Sequence, residues 1–452
     1  MSYKKNYENW QNNPISFWQE KAEDISWYKK PKKILDTSDA PFWTWFPDGE
    51  LNTSYNCLDI HIENGNGDRN AIIYDSPVTQ TKKTYTYREL LTKTEKIAGA
   101  LQKHGVKKGD RVLIYMPMIP EAVVSMLACA RLGAVHVVVF GGFAPNELAT
   151  RINDSKPKII IAGSCGIEPG KIIEYKPMLD KAIELAKYKV KKCFIFQREI
   201  CKANLIDGRD FNLQDLIDNS YSVSPVPVKS NDPLYILYTS GTTGDPKGMV
   251  RDNGGHAVAL KNSMNMVYGL QPGDVFWAAS DIGWVVGHSY IVYAPLLSGC
   301  TSILYEGKPT GTPNAGSFWR VISEYNVSVM FTAPTALRAI KRDDPNGEEI
   351  KKYNLKNFRM QFLAGERADP STIKWAEKHL NVPVIDHWWQ TETGWAIAGN
   401  FAGLGLYKTK PGSTGKPSPG FDVQCLDEDG SIKPIGEIGA LAIKLPLPPS
   451  LS

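Results

Sequence analysis

Apolar positions along this chain fall into short strand-length runs that alternate with stretches of helical period. The clearest helix begins at Thr86-Tyr-Arg-Glu89, a capping box. Leu90, Leu91, Ile97, Ala98 and Leu101 follow at helical spacing, and Gly105 ends the run. Val112-Leu-Ile-Tyr-Met116 then reads as a strand, 121–132 as a helix and Val135-His-Val-Val-Val-Phe140 as a second strand. The rhythm repeats five times. Helical 146–154 precedes Lys158-Ile-Ile-Ile-Ala162, and 178–188 precedes Cys193-Phe-Ile-Phe196. Further on, 317–325 precedes Val327-Ser-Val-Met-Phe331, 335–342 precedes 358–363, and 370–380 precedes 382–385. Such alternation predicts an α/β fold in which parallel sheets are flanked by helices.

Two regions depart from this pattern. Residues 1–50 carry Trp10, Trp18, Trp27, Trp43 and Trp45 among polar neighbours, which predicts a segment that packs its indoles on a larger body. After about residue 420, Phe421-Asp-Val-Gln-Cys-Leu426, the acidic turn Asp427-Glu-Asp-Gly430 and Gly439-Ala-Leu-Ala-Ile-Lys444 predict a smaller β subdomain built on hairpins. Proline-rich 222–233 reads as a connector. The divisions expected are therefore 1–69, 70–419 and 420–452.

Composition narrows the class. A chain of 452 residues with 42% hydrophobic content can bury sizeable cores in more than one subdomain. Lys+Arg 52 against Asp+Glu 48 gives a net charge of only +4, and no dense basic run points to nucleic acid. The longest apolar region, 112–143, is interrupted by Pro117, Pro120, Glu121 and Arg131, so it does not read as a membrane span. Seven dispersed cysteines without a Cys-x-x-Cys pair argue for reduced thiols rather than a disulfide framework or structural zinc. The first ten residues show neither an apolar signal core nor an acid-free transit pattern, so the cytoplasm is the expected compartment.

The candidate chemistry sits after predicted strands, where α/β sheets place their ligands. Leu234-Tyr-Ile-Leu-Tyr238 runs into Thr-Ser-Gly-Thr-Thr-Gly-Asp-Pro-Lys-Gly248. Glycines let backbone N–H groups approach phosphate oxygens, hydroxyls add donors and Lys247 adds a point charge. This is not a Walker A loop: Pro246 precedes Lys247 and Gly248 follows it. Two more polar motifs follow strands, Phe362-Leu-Ala-Gly-Glu-Arg367 and Asp386-His-Trp-Trp-Gln-Thr-Glu-Thr-Gly394. One such motif would be weak; three at strand ends predict one crevice.

Taken together, these strings resemble those of the adenylate-forming, AMP-binding enzyme superfamily, and within it the short-chain acyl-CoA synthetases of the acetyl/propionyl branch. The resemblance extends through Ser280-Asp-Ile-Gly-Trp-Val-Val-Gly-His-Ser-Tyr290, Tyr305-Glu-Gly307 and Thr332-Ala-Pro-Thr-Ala-Leu-Arg338, and covers nearly the whole chain. It implies an acid–thiol ligase with ATP, Mg²⁺ and CoA as cofactors and small molecules as partners. A carboxylate would attack the α-phosphorus of ATP to give acyl-AMP and pyrophosphate, and the CoA thiolate would then displace AMP. By resemblance, Thr239, Ser240, Gly241, Thr242, Thr243, Gly244 and Lys247 hold the β- and γ-phosphates. Gly365, Glu366, Arg367, Asp386, His387, Trp388, Trp389, Gln390 and Thr391 line the adenine and α-phosphate. Thr391 would touch the α-phosphate, and Glu392 would ligate Mg²⁺, which usually keeps water and phosphate oxygens as its other ligands. A luciferase-like or peptide-synthetase adenylating domain is disfavoured, because the large Trp389 would block a deep acyl pocket. His288 has no second histidine at ligand spacing and reads as a pocket or core residue.

The acyl pocket implied by the resemblance is Val285, Val286, Ala364 and Trp389. Acetate-specific members tend to carry Thr and Val where this chain has Val286 and Ala364. The smaller wall opens space for one more carbon, so propionate is expected to be preferred over acetate. Glu168, Pro169, Gly170 and Lys171 sit where relatives bind CoA, with Lys171 as the charge; a plain solvated turn is the alternative. Family members continue beyond a run like Leu-Pro-Leu-Pro-Pro at 445–449 into a mobile domain carrying a lysine that assists adenylation. No residue here takes that role, which predicts weak or absent adenylation by these residues alone. The alternative is a non-catalytic protein that binds ATP and an acyl group.

Overall fold

A computed structural model describes residues 2–239, 246–410 and 412–450. Two seven-stranded sheets organise the chain. In the first, Asp210–Asn212, Cys193–Phe196, Ile159–Gly163, Arg111–Tyr115, Val135–Val138 and Pro233–Thr239 run parallel, and Lys247–Asp252 closes the edge antiparallel. In the second, Val384–Asp386, Met360–Leu363, Val329–Thr332, Val275–Ala278, Thr301–Tyr305 and Asn70–Ser76 run parallel, and Thr81–Thr86 closes the edge antiparallel. The parallel sheets expected from the sequence are therefore present, each with one antiparallel edge strand that the alternation did not announce.

Strand periodicity explains the layering. Val112 and Ile114 face a core shared with the helices Tyr87–Lys103, Pro120–Leu132 and Gly254–Met266, and that core continues to Ile72, Phe276 and Phe331 of the second sheet. Leu113 and Tyr115, one residue out of phase, face a separate core under Pro145–Ser155 and Tyr175–Leu185. The far face of the second sheet packs Trp277, Ile303 and Met330 against Ser317–Glu324, Pro334–Asp343 and Pro370–Leu380. Helices thus cover both faces of both sheets, with one helical layer shared between them.

Local chemistry fixes several elements as read. The capping box is formed: the Glu89 amide donates to Thr86 Oγ1 at 3.2 Å, and Glu89 Oε2 accepts from the Thr86 amide at 2.8 Å. The apolar stretch that did not read as a membrane span is a strand, the buried helix Pro120–Leu132 and a strand. Among the described residues, no helix is long and apolar enough to cross a membrane. The N-terminal helices Tyr3–Asn12 and Pro14–Ala22 dock through Trp10 and Trp18, and the Trp18 ring meets those of Trp45 and Trp395 edge-on. Past residue 420 a single hairpin, Asp422–Leu426 with Ala440–Lys444, follows the acidic turn pattern. It leaves Ile432, Ile435, Ile438 and Leu441 exposed.

Candidate active site

The glycine-rich segment is the connection of an antiparallel hairpin. Its stem runs from Tyr235↔Arg251 to Thr239↔Lys247. Ser240, Gly241, Thr242, Thr243 and Gly244 lie outside the described residues; Thr239 and Lys247 mark the two sides of the loop. Lys247 is exposed, and no side chain among the described residues pairs with it.

The other two motifs are neighbours because their strands are neighbours. Leu363 pairs with Asp386 in the second sheet, so 364–367 and 387–394 leave the same edge side by side. The backbone turns at Gly365, where φ is +103°. Glu366 is exposed and paired with Arg338, while Arg367 reaches towards Gly412. Asp386 is buried and accepts a hydrogen bond from the Ala368 amide at 3.2 Å, tying the two loops together. Burial raises the Asp386 carboxyl above its ordinary range. The His387 ring turns inward: Nδ1 pairs with the Leu363 carbonyl at 2.7 Å and Nε2 with the Tyr268 hydroxyl at 3.1 Å. Burial lowers its pKa to about 4, so it stands neutral, with both ring nitrogens and the main-chain amide engaged inside the protein.

Residues 390–394 form a tight turn. Thr393 Oγ1 accepts from the Gln390 amide at 3.1 Å, and the Gly394 amide donates to the Gln390 carbonyl at 3.1 Å. Gly394 needs its lack of a side chain twice over. Its φ is +73°, and a Cβ there would stand 3.2 Å from the Arg251 guanidinium. Thr391 is half-buried and Glu392 exposed; among the described residues neither side chain is tied to another group. A single exposed carboxylate without a protein partner suits an ion held mainly by phosphate and water. Among the described residues, no group of three His, Cys, Asp or Glu is placed to hold a metal ion.

Behind this turn stands an apolar wall. Val285, Val286, Trp388 and Trp389 pack on the cluster that contains buried Ala364. The Trp389 ring meets Tyr290 edge-on at 5.4 Å and Phe331 at 5.8 Å, so the two rings that fix its orientation come from other elements. Tyr290 belongs to Gly287–Tyr293, a π-helical stretch of the kind that often marks functional sites. Val285, Val286, Ala364 and Trp389 thus all belong to, or pack on, the same large core cluster.

The four candidate CoA residues form a hairpin tip: Cys165–Glu168 pairs with Lys171–Glu174, with Pro169 and Gly170 between. Glu168 and Pro169 line a cavity of about 790 Å³, with Tyr175, Asp281, Trp284 and Lys308. Lys171 faces an adjoining cavity of about 980 Å³. Glu168 is not free, since Lys308 reaches it at 3.0 Å. The Asp281 carboxylate accepts from the Gly283 amide at 2.7 Å, and burial pushes its pKa up to about 6. The motif Tyr305-Glu-Gly307 is largely structural. Glu306 is buried against Arg198 at 2.7 and 2.9 Å and accepts from Tyr74 and Ser76.

Sequence spacing missed two features. His288 has ring neighbours after all: His136 at 5.3 Å, with Tyr235 at 4.5 Å and His256 on the far side of that tyrosine. All three histidines are buried with pKa values lowered by desolvation, so the core reading holds even though the histidines come together. Arg251, buried to 2% exposure, carries no periodic signal in the sequence, yet it contacts the 390–394 turn directly.

Comparison with known proteins places the chain in a family. A family model described as AMP-binding enzyme matches residues 61–447. The chain belongs to the AMP-binding enzyme family. A second model, for the acetyl-coenzyme A synthetase N-terminus, matches residues 3–57, the segment that carries the buried indoles. An uncharacterized protein of Pseudomonas aeruginosa is 53% identical over 438 residues, covering 96% of this chain and 69% of that protein. The acyl-CoA synthetase short-chain family member 3, mitochondrial, of Homo sapiens is also 53% identical, over 96% of this chain and 64% of its own length. A propionate–CoA ligase of Escherichia coli is 45% identical over 99% of this chain and 71% of its own length. The chain thus spans roughly two thirds of these curated relatives.

Proposed function

We propose that this AMP-binding enzyme activates a short-chain carboxylate, propionate before acetate, with ATP and passes the acyl group to CoA. The observation that carries the reading is the joining of three motif-bearing segments. Residues 364–367 and 387–394 emerge together through the Leu363↔Asp386 register, and the phosphate-loop stem is joined to them through Arg251.

In this reading the carboxylate lies with its alkyl end against Trp389, Val285, Val286 and Ala364. Its oxygen attacks the α-phosphorus; the bond to the β-phosphate oxygen breaks, and pyrophosphate leaves. Lys247 and the loop after Thr239 hold the β- and γ-phosphates, and Thr391 donates to an α-phosphate oxygen. Such transfer is mostly positioning and charge neutralisation. Mg²⁺, when bound at Glu392, would supply charge neutralisation on the phosphates. The thiol sulfur of CoA then forms the bond to the acyl carbon, and AMP departs with the electrons of the broken C–O bond. The 790 Å³ cavity beside Glu168 and Pro169 is the size of a ligand pocket and supports a thiol-bearing arm entering there. The divisions 1–69, 70–419 and 420–452 belong to the same proposal.

The small Ala364 side chain and the relation to a propionate–CoA ligase support propionate. Carboxylate-dependent exchange of labelled pyrophosphate into ATP tests the preference. A kcat/KM for propionate above that for acetate is expected; a value for acetate equal or higher overturns it. A chain that binds no ATP at all overturns the reading as a whole.

A further inference from the structure

The turn that carries Thr391 and Glu392 leaves the Glu392 side chain exposed and is held by its main chain. Arg251 Nη2 donates to the Thr391 carbonyl at 2.7 Å, and Nη1 donates to the Glu392 carbonyl at 3.1 Å. Ser289 Oγ donates to the Gly394 carbonyl at 2.7 Å. These bonds cross 140, 141 and 105 residues of sequence, so they join separate parts of the fold. Arg251 also donates to the Ser450 carbonyl, and its Nε lies 3.4 Å from the Tyr235 hydroxyl. No carboxylate among the described residues forms an ion pair with it. A buried cation is costly unless its donors are satisfied. Here carbonyl dipoles satisfy them, and a planar fork that takes two carbonyls at once fixes direction as well as distance.

The strand that carries this fork also carries Lys247. Arg251 and Lys247 lie on the same face of Lys247–Asp252, two pleats apart, and the strand pairs back to Thr239 at the base of the phosphate loop. The guanidinium is therefore the rigid link between the stem of the phosphate loop and the turn bearing the α-phosphate and Mg²⁺ candidates.

Building on the function proposed above, we propose that Arg251 is a positioning residue that sets the Thr391 hydroxyl and the Glu392 carboxylate against the phosphate-loop stem, so that nucleotide and Mg²⁺ bind as one unit. Arg251 touches neither ligand; it acts through the turn. Supporting groups of this kind commonly alter metal affinity by about 10- to 100-fold when removed.

The test is calorimetric titration of ATP into the full chain, with Mg²⁺ and with the metal chelated. The wild type is expected to bind MgATP more tightly than metal-free ATP. Arg251→Met is expected to lose about 10- to 100-fold in MgATP affinity and much less in metal-free ATP affinity. Arg251→Lys keeps the charge but not the fork, and should fall between the two. Should Arg251→Met not fold, Ser289→Ala loosens the same turn with the guanidinium in place, and Gly394→Ala crowds the guanidinium against it. Each is expected to reduce the Mg²⁺ enhancement, while a purely structural role predicts equal losses with and without the metal. Equal losses, or unchanged binding in folded variants of a wild type that binds ATP, overturn the role of Arg251 alone. A wild type that binds no ATP overturns the function proposed above and this role with it.

Discussion

Ala364→Val tests the acyl wall most sharply. Ala364 is buried at 5% exposure in the cluster that also receives Val285, Val286 and Trp389. Valine adds two methyl groups at a position already enclosed, and in the function proposed above that volume is taken from the space left for the substrate. The loss of room for one methylene in such a pocket is worth about 1–3 kcal/mol. At about 1.4 kcal/mol per tenfold, the propionate-over-acetate ratio should fall by about 5- to 150-fold. The assay is competitive binding of non-cleavable propionyl- and acetyl-adenylate mimics, which needs no turnover. Binding of the acetyl mimic should change little while binding of the propionyl mimic weakens. Overpacking of the surrounding core itself costs about 1–3 kcal/mol of stability, so the denaturation midpoint is read alongside. Equal weakening of both mimics, or no change in either, would refute the assignment of Ala364 to the acyl wall.

Three further outcomes follow from the same geometry. Glu392→Gln removes an exposed carboxylate without a protein partner, so stability should move by less than about 0.5 kcal/mol while the apparent Mg²⁺ affinity of the ATP complex falls at least about tenfold; titration with and without Mg²⁺ reads both. Glu306→Gln strips the buried Arg198 of its carboxylate and should cost about 3–5 kcal/mol in urea unfolding, whereas a change below about 1 kcal/mol would contradict the pairing. Burial holds His61, His288 and His387 near 4, and His136 and His256 well below their ordinary value, so the unfolded chain takes up protons that the native state refuses. Stability from these groups is present above about 6.5 and is lost as pH falls towards 4. Asp252 and Asp281, raised to about 6 by burial, and Glu121 and Asp386, raised for the same reason, act in the opposite sense, but they are four groups against five, and His104 and His379 are lowered as well. The melting temperature should therefore fall from pH 7 to pH 5; a flat or rising profile would contradict the buried neutral histidines.

What the sequence made legible was local. Lys158-Ile-Ile-Ile-Ala162 and Cys193-Phe-Ile-Phe196 read as strands because buried parallel strands are continuously apolar, and both lie in the first sheet. The helix starting at Tyr87 was readable from its cap. Edge strand Thr81–Thr86 was not, because its Thr-Lys-Lys-Thr face is exposed and polar. Helix Gly254–Met266 was missed because it opens with two glycines and is buried on most sides, so no amphipathic stripe marks it. The site followed the same rule. Residues 364–367 and 386–394 were visible as strand-end motifs, and their convergence follows from strand order. The grip of Arg251 on Thr391 and Glu392 spans 140 and 141 residues, and the meeting of His136, His256 and His288 is likewise tertiary. Neither leaves a periodic signal in the chain.

The central claim is that the phosphate-loop stem, the 364–367 and 387–394 segments and the Trp389 wall form one crevice for an acyl-adenylate. Displacement of ATP by propyl-AMP, a non-cleavable mimic with three alkyl carbons, measures it most directly. If the wall and the nucleotide site are continuous, burying those carbons at about 0.8 kcal/mol each should make propyl-AMP bind about 30- to 60-fold tighter than AMP, in full competition with ATP. Propyl-AMP that binds no tighter than AMP, or that fails to displace ATP, would contradict the account.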